Sequence, residues 1–375
     1  MTYETEQAVP TAVLVGFTIR GVRDQRVHLA DDLRELRLLV MSMGAEVVGE
    51  VFQRNMNRES GTLISTHLLG LAKTEVQRIG ATLLCVDHTL SGSQRANVED
   101  EVGCEVLDRT EVILQIFARR ANTAEGMLQV ELAQLTYLLP RLRGRGGKEL
   151  SALGGGIGTR GPGETKLETD RRVISKRIAH LKSRIEQIGK RRQIQRKKRQ
   201  QAGVPVIALV GYTNAGKSTL LNALAGGGRP KAYTDDRLFA TLDPLTRKAF
   251  CPPLEREVLL TDTVGFIDRL PTELVAAFRG TLEEVLFADL LAIIVDGSEP
   301  DWERKLEVVE RTLDEIGAGE IRRILVFSKA DLYSHREEQQ EAISIGGAPV
   351  MNGVRLSAIS GEGLDGFWDE AADRL

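Results

Sequence analysis

The sequence predicts an α/β protein in three parts. An N-terminal α/β domain with parallel strands leads into an antiparallel coiled-coil helical hairpin, and the chain closes in a domain whose mostly parallel sheet carries helices on both faces. Three observations predict this arrangement: strand and helix patterns alternate through the first part, two heptad-like apolar seams lie in the middle, and a strand–glycine loop–helix unit opens the rest. The expected boundaries are 1–120, 121–202 and 203–375.

In the first part, Ala12–Val15 is a short apolar run that reads as a strand, and Leu29–Met43 has helical apolar spacing. Residues Ala45–Val51 read as a strand, Leu63–Ile79 as a helix and Ala81–Val86 as a third strand. Such alternation builds a parallel sheet through crossover helices. No catalytic constellation is legible here. Gly16 and Gly21 do not have the spacing of a dinucleotide fingerprint, and Asp87-His88 reads as a strand-end pair.

In the middle part, Leu128, Leu132, Leu135 and Leu139 are spaced 4, 3, 4, and Pro140 then ends or kinks the helix. Ile174, Ile178, Leu181, Ile185 and Ile188 repeat the pattern at 4, 3, 4, 3. Both are a/d seams. Two matched seams in one chain favour an intramolecular hairpin, and hence a monomer, over a homodimeric coiled coil. The tip, about 143–169, is Gly-rich and positively charged, a composition that cannot bury a core. The net charge of −3 hides an asymmetry: residues 141–200 hold 19 Lys+Arg against 5 Asp+Glu, or +14, leaving −17 on the other 315. A basic rod on an acidic protein suits a polyanion. Without an apolar face beside it, nucleic acid fits better than a membrane surface.

Composition narrows the class further. Of 375 residues, 42% are hydrophobic, which suits ordinary soluble cores, and no run of 18 apolar residues offers a membrane span. Met1–Glu6 is acidic, unlike a signal peptide. Cys85, Cys104 and Cys251 show no C-x-x-C spacing, and the five histidines form no ligand pair, so a reducing, cytoplasmic location is expected.

The last part carries the chemistry. Pro205 and the apolar run Val206–Val210 form a strand and its start, and Thr219–Ala225 is helix-forming. Between them, Gly211, Tyr212, Thr213, Asn214, Ala215, Gly216, Lys217 and Ser218 match G-x-x-x-x-G-K-[ST]. Backbone N–H groups of such a loop, through Thr219, wrap the α/β-phosphates, Lys217 reaches the β/γ-phosphates, and the Ser218 hydroxyl binds Mg²⁺. Val258–Thr261 reads as a strand ending at Asp262, Thr263, Val264 and Gly265, about forty-five residues past the loop. The acid can hold Mg²⁺ through water, and the Gly265 N–H can meet the γ-phosphate. The run Phe239, Ala240, Thr241, Leu242, Asp243 offers Thr241 as a second protein ligand of Mg²⁺. Lys217, Thr241 and Gly265 are thus the catalytic candidates, and Ser218 and Thr241 the metal ligands.

Base recognition follows. The buried-strand run Ile324–Phe327 feeds Ser328, Lys329, Ala330 and Asp331. A carboxylate at Asp331 accepts from both N1–H and the exocyclic amine of guanine, donors that adenine does not pair in this way. The aliphatic part of Lys329 would cover the ring. Val354–Ile359 reads as the last strand and its exit loop, where Ser357, Ala358 and Ile359 approach the base and the Ala358 N–H faces the guanine carbonyl.

These ordered motifs over about 203–375 resemble the translation-factor-related P-loop GTPases. One departure is Ser328 where that group has the Asn of Asn-Lys-x-Asp. The shorter hydroxyl is expected to reach the phosphate loop less well, weakening guanine affinity or loosening the loop. Phe266 stands where many GTPases place a water-orienting Gln, so slow intrinsic hydrolysis is expected. Asn214 resembles the position of GTPases that use K⁺ in place of an arginine finger, and turn geometry explains an Asn there equally well.

Further stretches resemble the HflX family of ribosome-associated GTPases over nearly the whole chain from about residue 12. They are Val106–Thr110, Leu128–Leu135, Gly154 through Gly161–Thr165, Leu167–Arg172 and Leu238–Pro244. Phe266 fits too, since that family has an apolar residue in place of the Gln. The resemblance implies GTP and GDP as ligands, Mg²⁺, and docking on the large (50S) ribosomal subunit with the hairpin tip near the peptidyl-transferase centre. The implied role lies in ribosome splitting or recycling, protein synthesis or ribosome biogenesis, with hydrolysis stimulated by ribosomal particles. The last expected helix ends at Leu375, so the extra C-terminal domain of some relatives is expected to be absent. The competing reading is a nucleotide-gated RNA-binding scaffold in RNA assembly or modification, with incidental hydrolysis.

Overall fold

The structure, a computed structural model, describes residues 9–21, 29–142, 166–201, 203–225, 238–239, 241–242, 244–269, 284–333, 343–345, 348–350 and 353–375. Most of the expected tip, 143–165, and two candidate nucleotide contacts, Ala240 and Asp243, lie outside the described residues. The chain groups into two compact units, 1–119 with 130–183 and 120–129 with 184–375.

In the first unit, β1 (Thr11–Ile19), β2 (Glu46–Met56), β3 (Leu83–Val86) and β4 (Glu105–Asp108) form a parallel sheet in the order β2-β1-β3-β4. The crossovers are α1 (Leu29–Met43), α2 (Thr66–Ile79) and α3 (Gly92–Val102), and α4 (Arg109–Arg120) follows β4. Helix α2 starts at Thr66 rather than the expected Leu63. Ser65 is extended there and its hydroxyl accepts from the Leu68 N–H, while Leu63 takes a φ of 65°. Helix α3 has only Val98 and Val102 buried, so no apolar period marks it; its signal is the capping box of Ser91 and Gln94.

At the strand ends, Arg109 pairs with Asp87 at 2.8 Å and with Glu35, and His88 stacks on Phe17 with centroids 4.0 Å apart. Asp87 and His88 thus hold the sheet edge, as strand-end residues should. Asp108 accepts from the Leu90 N–H at 2.9 Å and from the Tyr137 hydroxyl at 2.5 Å.

Helix α5 (Ala124–Leu138) gives way to a 3₁₀ turn at Leu139–Arg141, set by Pro140. Helix α6 spans Lys166–Gln201. On the expected seam Leu128, Leu132, Leu135, Ile174 and Leu181 are buried, whereas Leu139, Ile178, Ile185 and Ile188 are half-buried. Residues off the seam, Gln129, Val130, Ala133 and Tyr137, are buried as well. The first arm is therefore enclosed on more than one side and differs from one arm of a free rod. Its Tyr137 reaches Asp108 at the end of β4. Arg177 makes two hydrogen bonds to Glu131 at 2.6 and 2.7 Å, and Arg192 pairs with Glu125 at 2.7 Å, so the helices run in opposite directions. No helix of the described residues is long and apolar enough to cross a membrane.

In the second unit, β5 (Val206–Gly211), α7 (Lys217–Leu224), β6 (Leu245–Cys251), β7 (Arg256–Asp262), β8 (Leu290–Asp296), α8 (Trp302–Glu315), β9 (Arg323–Ser328), β12 (Val354–Arg355) and α9 (Leu364–Arg374) follow in order. The strands β10 (Ile343–Ile345) and β11 (Ala348–Val350) form a separate antiparallel pair between β9 and β12. The main sheet runs β12-β9-β8-β5-β7-β6, parallel except for β6. Strands β5 and β8 are buried almost throughout, as parallel strands covered on both faces must be. Only Val354 and Arg355 of the expected strand Val354–Ile359 pair with β9, and the chain then turns. The loops leaving β5, β7, β9 and β12 converge at one edge of the sheet, where open parallel sheets bind ligands.

Because exposed ion pairs contribute only about 0–1 kcal/mol, the apolar seam should dominate hairpin stability. Leu181→Ala is expected to cost about 2–5 kcal/mol, and Arg177→Ala about 1 kcal/mol or less, in urea unfolding followed by circular dichroism. The reverse order would refute the seam.

Candidate functional site

Strand β5 ends at Gly211 with φ 153°, where a Cβ would run into the Ile294 carbonyl oxygen of β8. Glycine is required by that contact. Beyond it, the Thr213 N–H donates to the Phe266 carbonyl at 2.8 Å and the Phe266 N–H to the Gly211 carbonyl at 3.0 Å. These two bonds bind the loop to the segment after β7. Asn214 (φ 61°) and Gly216 (φ 91°) then turn the chain into α7. Lys217, the first residue of that helix, is buried, and its Nζ donates to the carbonyls of Gly211 at 3.1 Å and Tyr212 at 2.7 Å. Burial pushes the ammonium pKa down to about 8, against the opposing pull of Asp262.

Three oxygens meet beside it. The hydroxyls of Ser218 and Thr241 lie 2.9 Å apart and donate to the same Asp262 oxygen, Oδ2, at 2.6 and 2.8 Å. The other oxygen, Oδ1, is buried with no hydrogen-bond partner, as is the Thr213 hydroxyl. Burial raises the Asp262 carboxyl pKa, opposed by Lys217 and the two hydroxyls. Two hydroxyls on one carboxylate, with an orphaned oxygen beside them, are an oxygen set that suits a hard cation. Gly265 lies against the loop, since a Cβ there would stand 2.9 Å from Thr213 Cα and 3.1 Å from Lys217 Nζ. Phe266 is 1% exposed, with its ring in the interior.

The third loop is tied to the first. Ser328 Oγ lies 2.7 Å from the Ala215 carbonyl and 3.0 Å from that of Val295. The serine therefore reaches the phosphate loop, contrary to the expectation from its length, because β9 brings it close enough for a two-heavy-atom side chain to bridge. Lys329, at φ 58°, pairs through Nζ with Asp296 at 2.6 Å. Asp331 accepts from the Ser357 hydroxyl at 2.5 Å, which aims the carboxylate.

A cavity of about 590 Å³ joins these loops. Thr213, Asn214, Gly216, Lys217, Ser218, Thr219, Phe239, Thr241, Thr263, Gly265, Ser328, Lys329, Asp331, Ala358 and Ile359 line it. Other candidates stand behind the wall: Gly211, Tyr212, Ala215, Leu242, Asp262, Val264, Ala330 and Ser357 are buried supports. Thr263 also donates to the Leu209 carbonyl at 2.8 Å, and the Ala330 N–H is taken by the Leu356 carbonyl at 3.1 Å.

Sequence reasoning missed two residues. Asp296 ends the apolar strand β8 just as Asp262 ends β7, a signal that was there to be read. The Tyr212 hydroxyl accepts from the Asp268 N–H at 2.8 Å, and Asp268 pairs with Arg304 at 3.0 Å and Arg311 at 3.4 Å on α8. No sequence spacing announces that link.

Comparisons with known proteins place this arrangement. Three family profiles match in series: "GTP-binding GTPase N-terminal" at 30–118, "GTP-binding GTPase Middle Region" at 120–199 and "50S ribosome-binding GTPase" at 206–329. The GTPase HflX of Caldanaerobacter subterraneus subsp. tengcongensis is 52% identical over 302 residues, covering 80% of this chain and 69% of that one. The GTPase HflX of Escherichia coli K12 is 41% identical over 345 residues, covering 92% and 79%. A crystal structure of SsGBP with GDP shares the fold at TM-score 0.51 and 22% identity, over 97% of this chain and 98% of that one. P-loop GTPases of this kind bind GTP and GDP with Mg²⁺ and hydrolyse GTP, and the chain belongs to the HflX family of GTPases.

Proposed function

We propose that this chain is a GTP-driven switch that acts on the large ribosomal subunit, with a role in splitting or recycling ribosomes. The observation that carries the nucleotide assignment is one cavity holding both a buried lysine and a carboxylate aimed by a serine, Lys217 and Asp331. A polyphosphate would draw Lys217 from its own loop carbonyls, and the guanine amine and N1–H would meet Asp331. Ser218 and Thr241 would hold Mg²⁺, with Asp262 behind them, and the ion would supply charge neutralisation at the phosphates. The Gly265 N–H would take the γ-phosphate, since only glycine fits against Thr213 and Lys217. We assign Asn214 to the turn, because its left-handed φ of 61° is one that Asn tolerates.

With Phe266 turned inward, its side chain cannot orient the attacking water. The missing catalytic group would come with a partner, an addition worth about 10³–10⁵ in rate in related systems. The family profile described as "50S ribosome-binding GTPase" supports large subunits as that partner, and the +14 charge on residues 141–200 supports RNA contact. The expected domain boundaries, 1–120, 121–202 and 203–375, remain our proposal for the functional division.

Three outcomes test this reading. Purified 50S subunits should raise GTP turnover by at least 100-fold in phosphate-release assays, and a flat response would favour the RNA-scaffold alternative. Lys217→Ala should abolish GTP binding measured by fluorescent-nucleotide titration, whereas Asp331→Asn should shift preference from GTP towards XTP. The pH profile has a defined sign. Burial pushes the Lys217 ammonium pKa down to about 8, and a bound polyphosphate would favour the charged form. Affinity should therefore fall as pH rises above about 8, with up to one proton taken up per nucleotide near pH 9, read by calorimetry in buffers of different ionisation enthalpy.

A further inference from the structure

Ser328 is 3% exposed and lines the cavity at its base-recognition side, together with Lys329 and Asp331. Its hydroxyl has a single hydrogen to donate. Two carbonyl oxygens already stand within reach of it, Ala215 at 2.7 Å and Val295 at 3.0 Å, and neither can donate in return. A purine N7 is an acceptor only, so it would be a third claimant on one proton. Displacing Ala215 would also break the tie between the base loop and the phosphate loop. The Asn of the family pattern has two N–H donors and could serve a loop carbonyl and a base nitrogen together.

We infer that this chain reads guanine through its Watson–Crick edge at Asp331 and leaves N7 unread, because Ser328 commits its only proton to holding the phosphate loop. The inference rests on the guanine-nucleotide assignment above. Two consequences follow. Specificity concentrates on one carboxylate, whose orientation depends on Ser357. Nucleotides altered at position 7 become acceptable ligands, while those altered at position 2 do not.

The test measures binding of GDP, 7-deaza-GDP and IDP to the full chain by competition against a fluorescent GDP. The first keeps every guanine group, the second lacks only N7, and the third lacks only the exocyclic amine. We expect 7-deaza-GDP to bind within about three-fold of GDP and IDP to bind more than ten-fold more weakly. A neutral hydrogen bond is worth roughly two- to ten-fold in affinity, so a loss above three-fold for 7-deaza-GDP overturns the inference. IDP equal to GDP overturns the reliance on Asp331. Failure of GDP itself to bind would instead defeat the guanine-nucleotide assignment, which keeps the two readings distinguishable. Ser328→Asn supplies a second donor, and its ratio of 7-deaza-GDP to GDP dissociation constants should rise above three. A ratio unchanged from wild type overturns the role given to Ser328. Should that variant fail to fold, the wild-type ratio decides alone.

Discussion

A lysine ammonium removed from water governs the nucleotide site. Lys217 is buried, and a buried cation is tolerated only when oxygen atoms surround it. Those oxygens belong to its own loop, at Gly211 and Tyr212. The loop can present them because glycine at 211 passes against the Ile294 carbonyl and because the Phe266 backbone holds the far side. Gly265 completes the enclosure by packing a bare backbone against the lysine. Each unusual residue near the loop thus serves the same requirement, a positive charge kept dry and ready for an anion.

The sequence made much of this legible because the motif residues are local and chemically distinctive. A strand, a glycine-bounded loop and a lysine at a helix start leave few alternatives, and an acid at the end of an apolar strand marked Asp262. Helix α2 could be read from its apolar spacing and α5 from its leucines. Helix α3 could not, because only two of its side chains face the core and its signal is a cap. The burial of α5 on several sides was hidden because heptad spacing reports one face, whereas Val130, Ala133 and Tyr137 are buried too, Tyr137 against the distant Asp108.

Ser328 shows where reasoning from residue length fails. Whether a hydroxyl can bridge to the phosphate loop depends on the spacing of β8 and β9 beside β5, and no local pattern encodes that spacing. The Lys329–Asp296 pair has the same origin, since it joins the ends of two neighbouring strands. Long-range register therefore decides details of base recognition that the motif only outlines. The fold around the site is conventional for its family, and the departures lie in single side chains.

Asp268 carries a further consequence. Its amide is fastened to the Tyr212 hydroxyl, and its carboxylate faces Arg304 and Arg311 on α8. Arg311 is largely exposed, so dissolved ions weaken part of this tether while the amide bond is little affected. The backbone leaving the phosphate site is thus anchored by a salt-tolerant amide bond and by salt-sensitive ion pairs. A rise in electrolyte concentration then mildly loosens that backbone by weakening its ion pairs.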